Sequence, residues 1–293
     1  MAWTTSDKVM ALRERSHPFD MFAEMMDGWR RHLAGRNASL LAFFSFLSIF
    51  PLMLAAVTIL GFVLDGNEEL QRKLIDSAAS GIPVLGKTLA DNPDSIDGSL
   101  IALVIGLGGA LWASTKAFVG LQSALDDSWE VDVDDRDGLP AQRGKALMGL
   151  AFVAISQIGT LTLAGIVNAA GLPAFSNLAL IGATVVINIM VIAAMYRLLT
   201  SYPTTWNDVW LGAGFAGIAF TALQHFGTLI VQRLTDTENE AMATINTILG
   251  LITWLSLIGI TVIMCAELNA ARKRLQVNRN IGSGKDLDIA IRT

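Results

Sequence analysis

Charged residues, histidines and cysteines are all scarce in this chain. Only 16% of its 293 residues are charged, whereas soluble domains have about a quarter, and 53% are hydrophobic. The single cysteine, Cys265, excludes an internal disulfide and a cysteine metal cluster. The chain has three histidines and neither an HExxH nor a GxSxG sequence, so it lacks the motifs of the common hydrolases. We therefore expect no catalytic residue, no metal and no cofactor.

Long apolar runs dominate what is present. Soluble helices rarely stay apolar on every face for 18 residues or more, so such runs predict membrane spans. None alternates as a membrane β-strand would. We predict an all-α, polytopic membrane protein with about six transmembrane helices. The segments are Leu40–Leu64, Leu100–Ser123, Ala146–Ala169, Leu178–Leu199, Val209–Val231 and Thr247–Leu268.

The distribution of lysine and arginine predicts the orientation. If both ends lie inside, the cytoplasmic pieces hold sixteen of these residues and the outside loops hold four. Positive charge favours the cytoplasmic side, so the prediction is N-in and C-in. It gives a cytoplasmic N-terminal tail (1–38), a six-helix transmembrane domain (39–269) and a cytoplasmic C-terminal tail (270–293).

An amphipathic helix is predicted in the N-terminal tail, between Pro18 and Leu33. Its apolar side chains recur at steps of three and four residues, with charged residues on the other side. Such a helix lies on the inner leaflet or packs on the cytoplasmic loops, and the sequence leaves both alternatives open. The apolar residues are Phe19, Phe22, Met25, Met26, Trp29 and Leu33.

Several segments resemble one family when they are taken in order. They are RNASLLAFFSFLSIFPLML (36–54), LWASTKAFVGLQSALDDSW (111–129), Tyr202-Pro203 and CAELNAAR (265–272). Together they are similar to the YihY/BrkB family of bacterial inner-membrane proteins, over about Phe19 to Leu275. The family commonly has glycine where this chain has Cys265. The resemblance implies a six-helix architecture in the inner membrane and links to virulence, envelope integrity and lipid export, but no catalytic residue.

The older family label, ribonuclease BN, is not supported by these residues. A nuclease needs carboxylates or histidines clustered around a metal. The densest acidic segment, Asp126 to Asp137, has Arg136 among its acids and a second arginine, Arg143, shortly after it, and we expect a solvated acidic loop there. We expect neither a nucleic-acid partner nor an enzyme activity.

Lys116 is the one basic residue inside a predicted span. A charge at this depth usually faces protein or water and has a partner. Glu267, near the cytoplasmic end of the last span, is the candidate partner, and snorkelling of Lys116 to the interface is the alternative. Buried polar residues that extend a candidate substrate path are Gln157, Asn188 and His225.

Backbone features within the spans have structural interpretations. Pro51 removes a helix hydrogen bond and predicts a kink in the first span. The sequence from Gly212 to Gly217 matches the dinucleotide motif GxGxxG, but it lies in an apolar helix with no preceding strand. Gly212, Gly214 and Gly217 are therefore predicted to let neighbouring helices approach closely.

Two functions remain open at this stage. The first is a transporter or flippase-like protein for a lipid or another amphiphilic envelope component, located in the bacterial cytoplasmic (inner) membrane. Its partners are membrane lipids, and a homo-oligomer is allowed. The alternative is a non-transporting membrane scaffold for envelope integrity. A polar groove that contains Lys116 favours the first function, and a sealed apolar bundle favours the second.

Overall fold

The computed structural model describes residues 4, 6–64, 100–169, 175–235 and 240–282. Within these ranges all regular structure is helical, which confirms the all-α prediction. The segment between the first two predicted spans (65–99) and the end of the C-terminal tail lie outside them. The helices are α1 (Asp7–Arg15), α2 (His17–Arg31), α3 (Ala34–Leu64), α4 (Leu100–Ser128), α5 (Leu139–Ala169), α6 (Phe175–Leu198), α7 (Trp206–Thr235) and α8 (Glu240–Gly282).

Each of the six predicted apolar segments lies mainly on one of the helices α3 to α8. Within the described ranges, four helices contain segments long and apolar enough to cross a membrane, namely Ala34–Ala55, Leu103–Ser128, Ala179–Leu198 and Ile245–Arg279. The remaining two predicted spans fall on α5 and α7, each of which has at least 30 residues. At about 1.5 Å per residue, helices of this length exceed a hydrocarbon core of about 30 Å.

Large apolar side chains cover the outside of these helices. Ile101 is 73% exposed, Ile155 is 70% exposed and Phe215 is 58% exposed. Water-soluble monomers rarely present apolar surface on this scale, because water penalises it. A surface of this kind suits contact with lipid chains, and the chain is therefore a membrane protein.

The chain forms two compact units. The first contains Met1–Ala42, Phe118–Leu229 and Trp254–Thr293, and the second contains Phe43–Ala117 and Ile230–Thr253. In the first unit the core is built largely from small residues such as Ala193, Ala213 and Ala266. Small side chains let helices approach closely where the surrounding lipid supplies no hydrophobic driving force.

Helix α2 lies in the first unit, with part of its surface buried. Ala23, Met25 and Gly28 are buried, whereas Phe22 is 47% exposed. Glu24 on the same helix pairs with Arg274 of α8 at 3.1 Å. Part of α2 therefore packs against α8. Its placement on the inner leaflet or on the cytoplasmic loops stays a prediction.

Candidate functional site

A wholly buried carboxylate lies on α8, near the end of the last predicted span. Glu267 is 0% exposed, although glutamate is almost never fully buried unless it is paired. Gly28 on α2 provides the room for it, because a Cβ atom at that position would overlap Glu267 Oε2 and lie 2.9 Å from Arg274 Nη2. A side chain larger than hydrogen at position 28 would therefore require the Glu267 and Arg274 side chains to shift.

One oxygen of Glu267 accepts two hydrogen bonds. Ser128 Oγ lies 2.9 Å from Glu267 Oε1, and His32 Nδ1 lies 2.7 Å from the same oxygen. Ser128 ends α4, and His32 caps the C-terminus of α2. Three separate parts of the chain therefore meet at this carboxylate.

The second oxygen, Glu267 Oε2, has no hydrogen-bond partner among the described residues. It lies 3.7 Å from Arg274 Nη2, which is an ion-pair distance too long for a hydrogen bond. Arg274 also bonds Glu24 at 3.1 Å and the Ser128 carbonyl at 3.0 Å. The arginine is thus held mainly by groups other than Glu267, and the buried carboxylate is incompletely satisfied.

Glu130 approaches the same histidine from the other side. Its carboxylate lies 3.6 Å from His32 Nε2 and 3.2 Å from Arg31. Glu130 is 46% exposed and lines a pocket of about 340 Å³, together with the stacked rings of Trp129 and Tyr202. The imidazole therefore stands between a solvent-accessible carboxylate and a buried one.

The backbone is strained beside this site. Leu33, with φ 52°, and Glu130, with φ 56°, are the non-glycine residues with positive φ in the part of the chain that the structure describes. Leu33 follows His32, and Glu130 faces it. Side chains other than glycine rarely adopt this conformation, and its appearance at interacting positions is typical of functional sites.

A second polar cluster joins α6 to α7. Asn188 is 4% exposed and donates hydrogen bonds to Thr221 Oγ1 at 2.9 Å and to Gln224 Oε1 at 3.1 Å. Within an apolar helix pair such bonds satisfy groups that lipid cannot. The cluster is a second candidate for contact with a polar substrate group.

Comparison with protein families identifies the fold's relatives. A model of the family described as "Virulence factor BrkB" matches residues 25–286, which is most of the chain. This chain belongs to the BrkB family. The predicted membership is therefore confirmed. A search of curated proteins finds no match, and neither does a search of solved structures.

In this BrkB-family protein, the family-like segments supply much of the Glu267 site. Glu267 and Arg274 lie in or just after CAELNAAR, and Ser128 lies in the segment before Trp129. On the opposite side of α8, Asn269 accepts a bond from Gly212 N at 2.6 Å and donates one to the Val209 carbonyl at 3.1 Å. One short segment of α8 thus holds α7 on one face and the Glu267 site on another.

The predicted partner of Glu267, Lys116, lies in the second compact unit and is exposed. The described partners of Glu267 are His32, Ser128 and Arg274. No sequence signal marked His32, because it lies 235 residues from Glu267. The Lys116–Glu267 pair stays a prediction, which a double-mutant cycle on thermal stability tests.

The remaining predicted site residues are dispersed in this BrkB-family protein. Asn188 is buried in the polar cluster, Gln157 is half-buried on α5, and the side chain of His225 lies outside the described residues.

Pro51 lies inside α3. In the same unit, a Cβ at Gly106 would lie 3.1 Å from the Pro51 carbonyl oxygen, so α4 packs closely there. The predicted kink stays a prediction.

The three glycines of α7 differ in their surroundings. A Cβ at Gly212 would overlap the Cys265 carbonyl oxygen, and one at Gly217 would lie 2.8 Å from the Ile189 backbone nitrogen. A Cβ at Gly214 would meet no atom within 4 Å. Among the described residues, Gly214 therefore faces away from the helices that Gly212 and Gly217 contact, and its role in helix packing stays a prediction.

The acidic segment after α4 also differs from the expectation. Asp132, Asp134 and Asp135 are exposed, as expected of a solvated loop. Asp126, however, is 3% exposed and accepts bonds from Thr200 and Ser201. The tertiary fold brings the α6–α7 turn over it. Among the described residues no group of three or more His, Cys, Asp or Glu side chains is placed to hold a metal ion.

Proposed function

We propose that this chain is an inner-membrane transporter or flippase-like protein that moves a lipid or another amphiphilic envelope component. The observation that carries the proposal is Glu267, a wholly buried and incompletely satisfied carboxylate near the end of an apolar bundle. A charge inside membrane helices is costly and is usually retained for a function. Helices that serve only as anchors do not need one.

The polar cluster of Asn188, Thr221 and Gln224 supports the same proposal. It provides polar groups along α6 and α7, in the same compact unit as Glu267. A headgroup that crosses an apolar layer needs such groups to replace its hydration. Gln157 and Lys116 are candidate extensions of this path. We assign the protein no catalytic residue, metal, cofactor or nucleic-acid partner.

Six spans with both ends in the cytoplasm are part of the proposal. Cysteines placed one at a time in a Cys265→Ala background test this topology. Cysteines at positions 94 and 236 lie outside the described residues, and we expect them to react with an impermeant thiol reagent in intact spheroplasts. Cysteines replacing Asp132 and Arg274 are expected to react only after lysis. Reaction at position 132 from outside would contradict the orientation.

Lipid analysis tests the transport proposal directly. We expect untargeted analysis of both leaflets of the inner membrane to show a lipid whose distribution changes when the protein is absent. Glu267→Gln is expected to reproduce that change at normal protein levels, and the control Glu14→Gln, at an exposed carboxylate on α1, is expected to behave as wild type. Unchanged leaflets in cells with a weakened envelope would favour the scaffold function instead.

A further inference from the structure

We propose that Glu130, His32 and Glu267 form a proton relay that carries a proton from the solvent-accessible pocket to the buried carboxylate on α8. Proton transfer to Glu267 does not depend on the proposed function. The inference rests on the proposed function only where the proton is coupled to transport. The relay consists of one exposed carboxylate, one imidazole and one buried carboxylate in that order.

The three groups lie in order: the inner step has hydrogen-bond geometry, whereas the outer step requires the half-exposed Glu130 side chain to move closer to His32. Glu130 Oε1 lies 3.6 Å from His32 Nε2, and His32 Nδ1 lies 2.7 Å from Glu267 Oε1. His32 Nε2 has no hydrogen-bond partner among the described residues, so it can accept a proton. An imidazole that accepts at one nitrogen and donates from the other moves a proton across its ring.

The transfer balances without any other reactant. A proton from solvent protonates Glu130, the O–H bond of Glu130 breaks, and an N–H bond forms at His32 Nε2. The N–H bond at Nδ1 then breaks and an O–H bond forms at Glu267 Oε1. The relay ends with a neutral Glu267 and a neutral His32 whose proton is on Nε2, and rotation of the imidazole ring restores the first tautomer.

The charged groups around the relay allow both protonation states of Glu267. Helix α2 presents Glu24 and Arg31, the end of α4 presents Glu130, and α8 presents Arg274. When Glu267 becomes neutral, Arg274 keeps Glu24 at 3.1 Å and the Ser128 carbonyl at 3.0 Å. Its 3.7 Å attraction to Glu267 is the contact that weakens. Both residues lie on α8, so protonation weakens a contact within that helix, while Arg274 keeps its bond to Glu24 of α2 and no charge is stranded.

Infrared spectroscopy of the full chain in phospholipid nanodiscs tests the relay. A step to lower pH is expected to produce a protonated-carboxyl band in the wild type that is missing in Glu267→Gln. In Glu130→Gln and His32→Gln we expect the same band to appear roughly a hundredfold more slowly, because positioned groups accelerate proton transfer by about 10²–10⁴-fold. His17→Gln is the control, since His17 is exposed and bonds Arg279.

The outcomes separate the relay from the transport proposal. A band that survives Glu267→Gln, or one whose rise is unchanged in both Glu130→Gln and His32→Gln, overturns the relay. If Glu267→Gln does not yield folded protein, Glu267→Asp is expected to shift the band, and an unshifted band overturns the relay equally. A band that behaves as expected while both leaflets stay unchanged supports the proton site and contradicts the transport function.

Discussion

Two buried carboxylates in the same compact unit have opposite surroundings. Asp126 accepts bonds from Thr200 Oγ1 at 2.8 Å, from Ser201 N at 2.7 Å and from Ser201 Oγ at 3.0 Å. Both of its oxygens are satisfied by neutral donors. Glu267 has one satisfied oxygen, one without a hydrogen bond, and a histidine in contact. Asp126 therefore suits a fixed structural role, whereas Glu267 suits a change of protonation.

The backbone and side chains around Asp126 and Glu267 also differ. Asp126 joins the end of α4 to the α6–α7 turn, where Lys145 also bonds the Thr200 carbonyl at 3.0 Å. The contact joins α4 and α5 to that turn, whose exposed backbone needs donors and acceptors. At Glu267, by contrast, the surrounding groups are mostly ionisable, and the backbone at Leu33 and Glu130 is strained. Strain and unsatisfied groups persist where function retains them.

The largest expected effect comes from filling the space beside Glu267. Gly28→Ala places a Cβ against Glu267 and Arg274, and we expect it to lower the free energy of unfolding by about 3 kcal/mol. The control, Gly120→Ala on α4, meets no atom within 4 Å and gains helix propensity worth about 1 kcal/mol. Melting temperatures in detergent measure both, and equal shifts would contradict the tight site at Gly28.

A direct comparison of the two carboxylates is expected to give an intermediate effect. Asp126→Asn mismatches donors in a fully bonded site, and we expect it to cost about 1–3 kcal/mol of stability without changing the infrared band. Glu267→Gln mimics a protonated carboxyl, so it is expected to cost less stability while removing the band. Thermal melts of the two variants measure the first difference. A larger stability loss in Glu267→Gln than in Asp126→Asn would reverse the assignment of roles.

The smallest expected effect concerns a third buried carboxylate, Asp208, near the start of α7. Burial raises the pKa of Asp208, but bonds from Lys273 and Thr205 outweigh it and hold the pKa below its ordinary value of 3.8. A lowered folded-state pKa contributes stability that is complete above that ordinary value and is lost as the pH falls through the folded-state pKa. Asp208 bonds both the backbone nitrogen and the hydroxyl of Thr205.

We expect Asp208→Asn to cost about 1 kcal/mol at neutral pH, as loss of a helix cap does. Melting curves of the variant and the wild type should converge as the pH falls below 3.8. A gap that stays constant down to the lowest pH at which the protein folds would show that the charge of Asp208 does not contribute. Asp208 would then have a structural role like that of Asp126, with different hydrogen-bond partners.

The sequence alone determined the helices and the membrane character of this protein. Apolar runs of membrane length place α3 to α8 because a bilayer requires helical backbone and apolar side chains over a fixed thickness, and both requirements are local. The ordered segments around Ser128 and Glu267 also located the family, and Asn188 was identified as a buried polar residue from its position in an apolar run. These inferences need no knowledge of which helices touch.

The partners of the buried groups were decided by the tertiary structure. Gly214 and Gly212 stand two positions apart in the same motif, yet one faces open space and the other contacts α8, because a helix turns about 100° per residue. In the sequence, Asp126 is not distinguished from the other acidic residues that follow it. In the structure, the α6–α7 turn buries it. Likewise, Glu267 is an evident candidate in the sequence, but its histidine lies 235 residues away, and only helix packing brings the two together. The hydrophobic pattern can be read from the local sequence, whereas the pairing of polar groups depends on which helix faces contact each other.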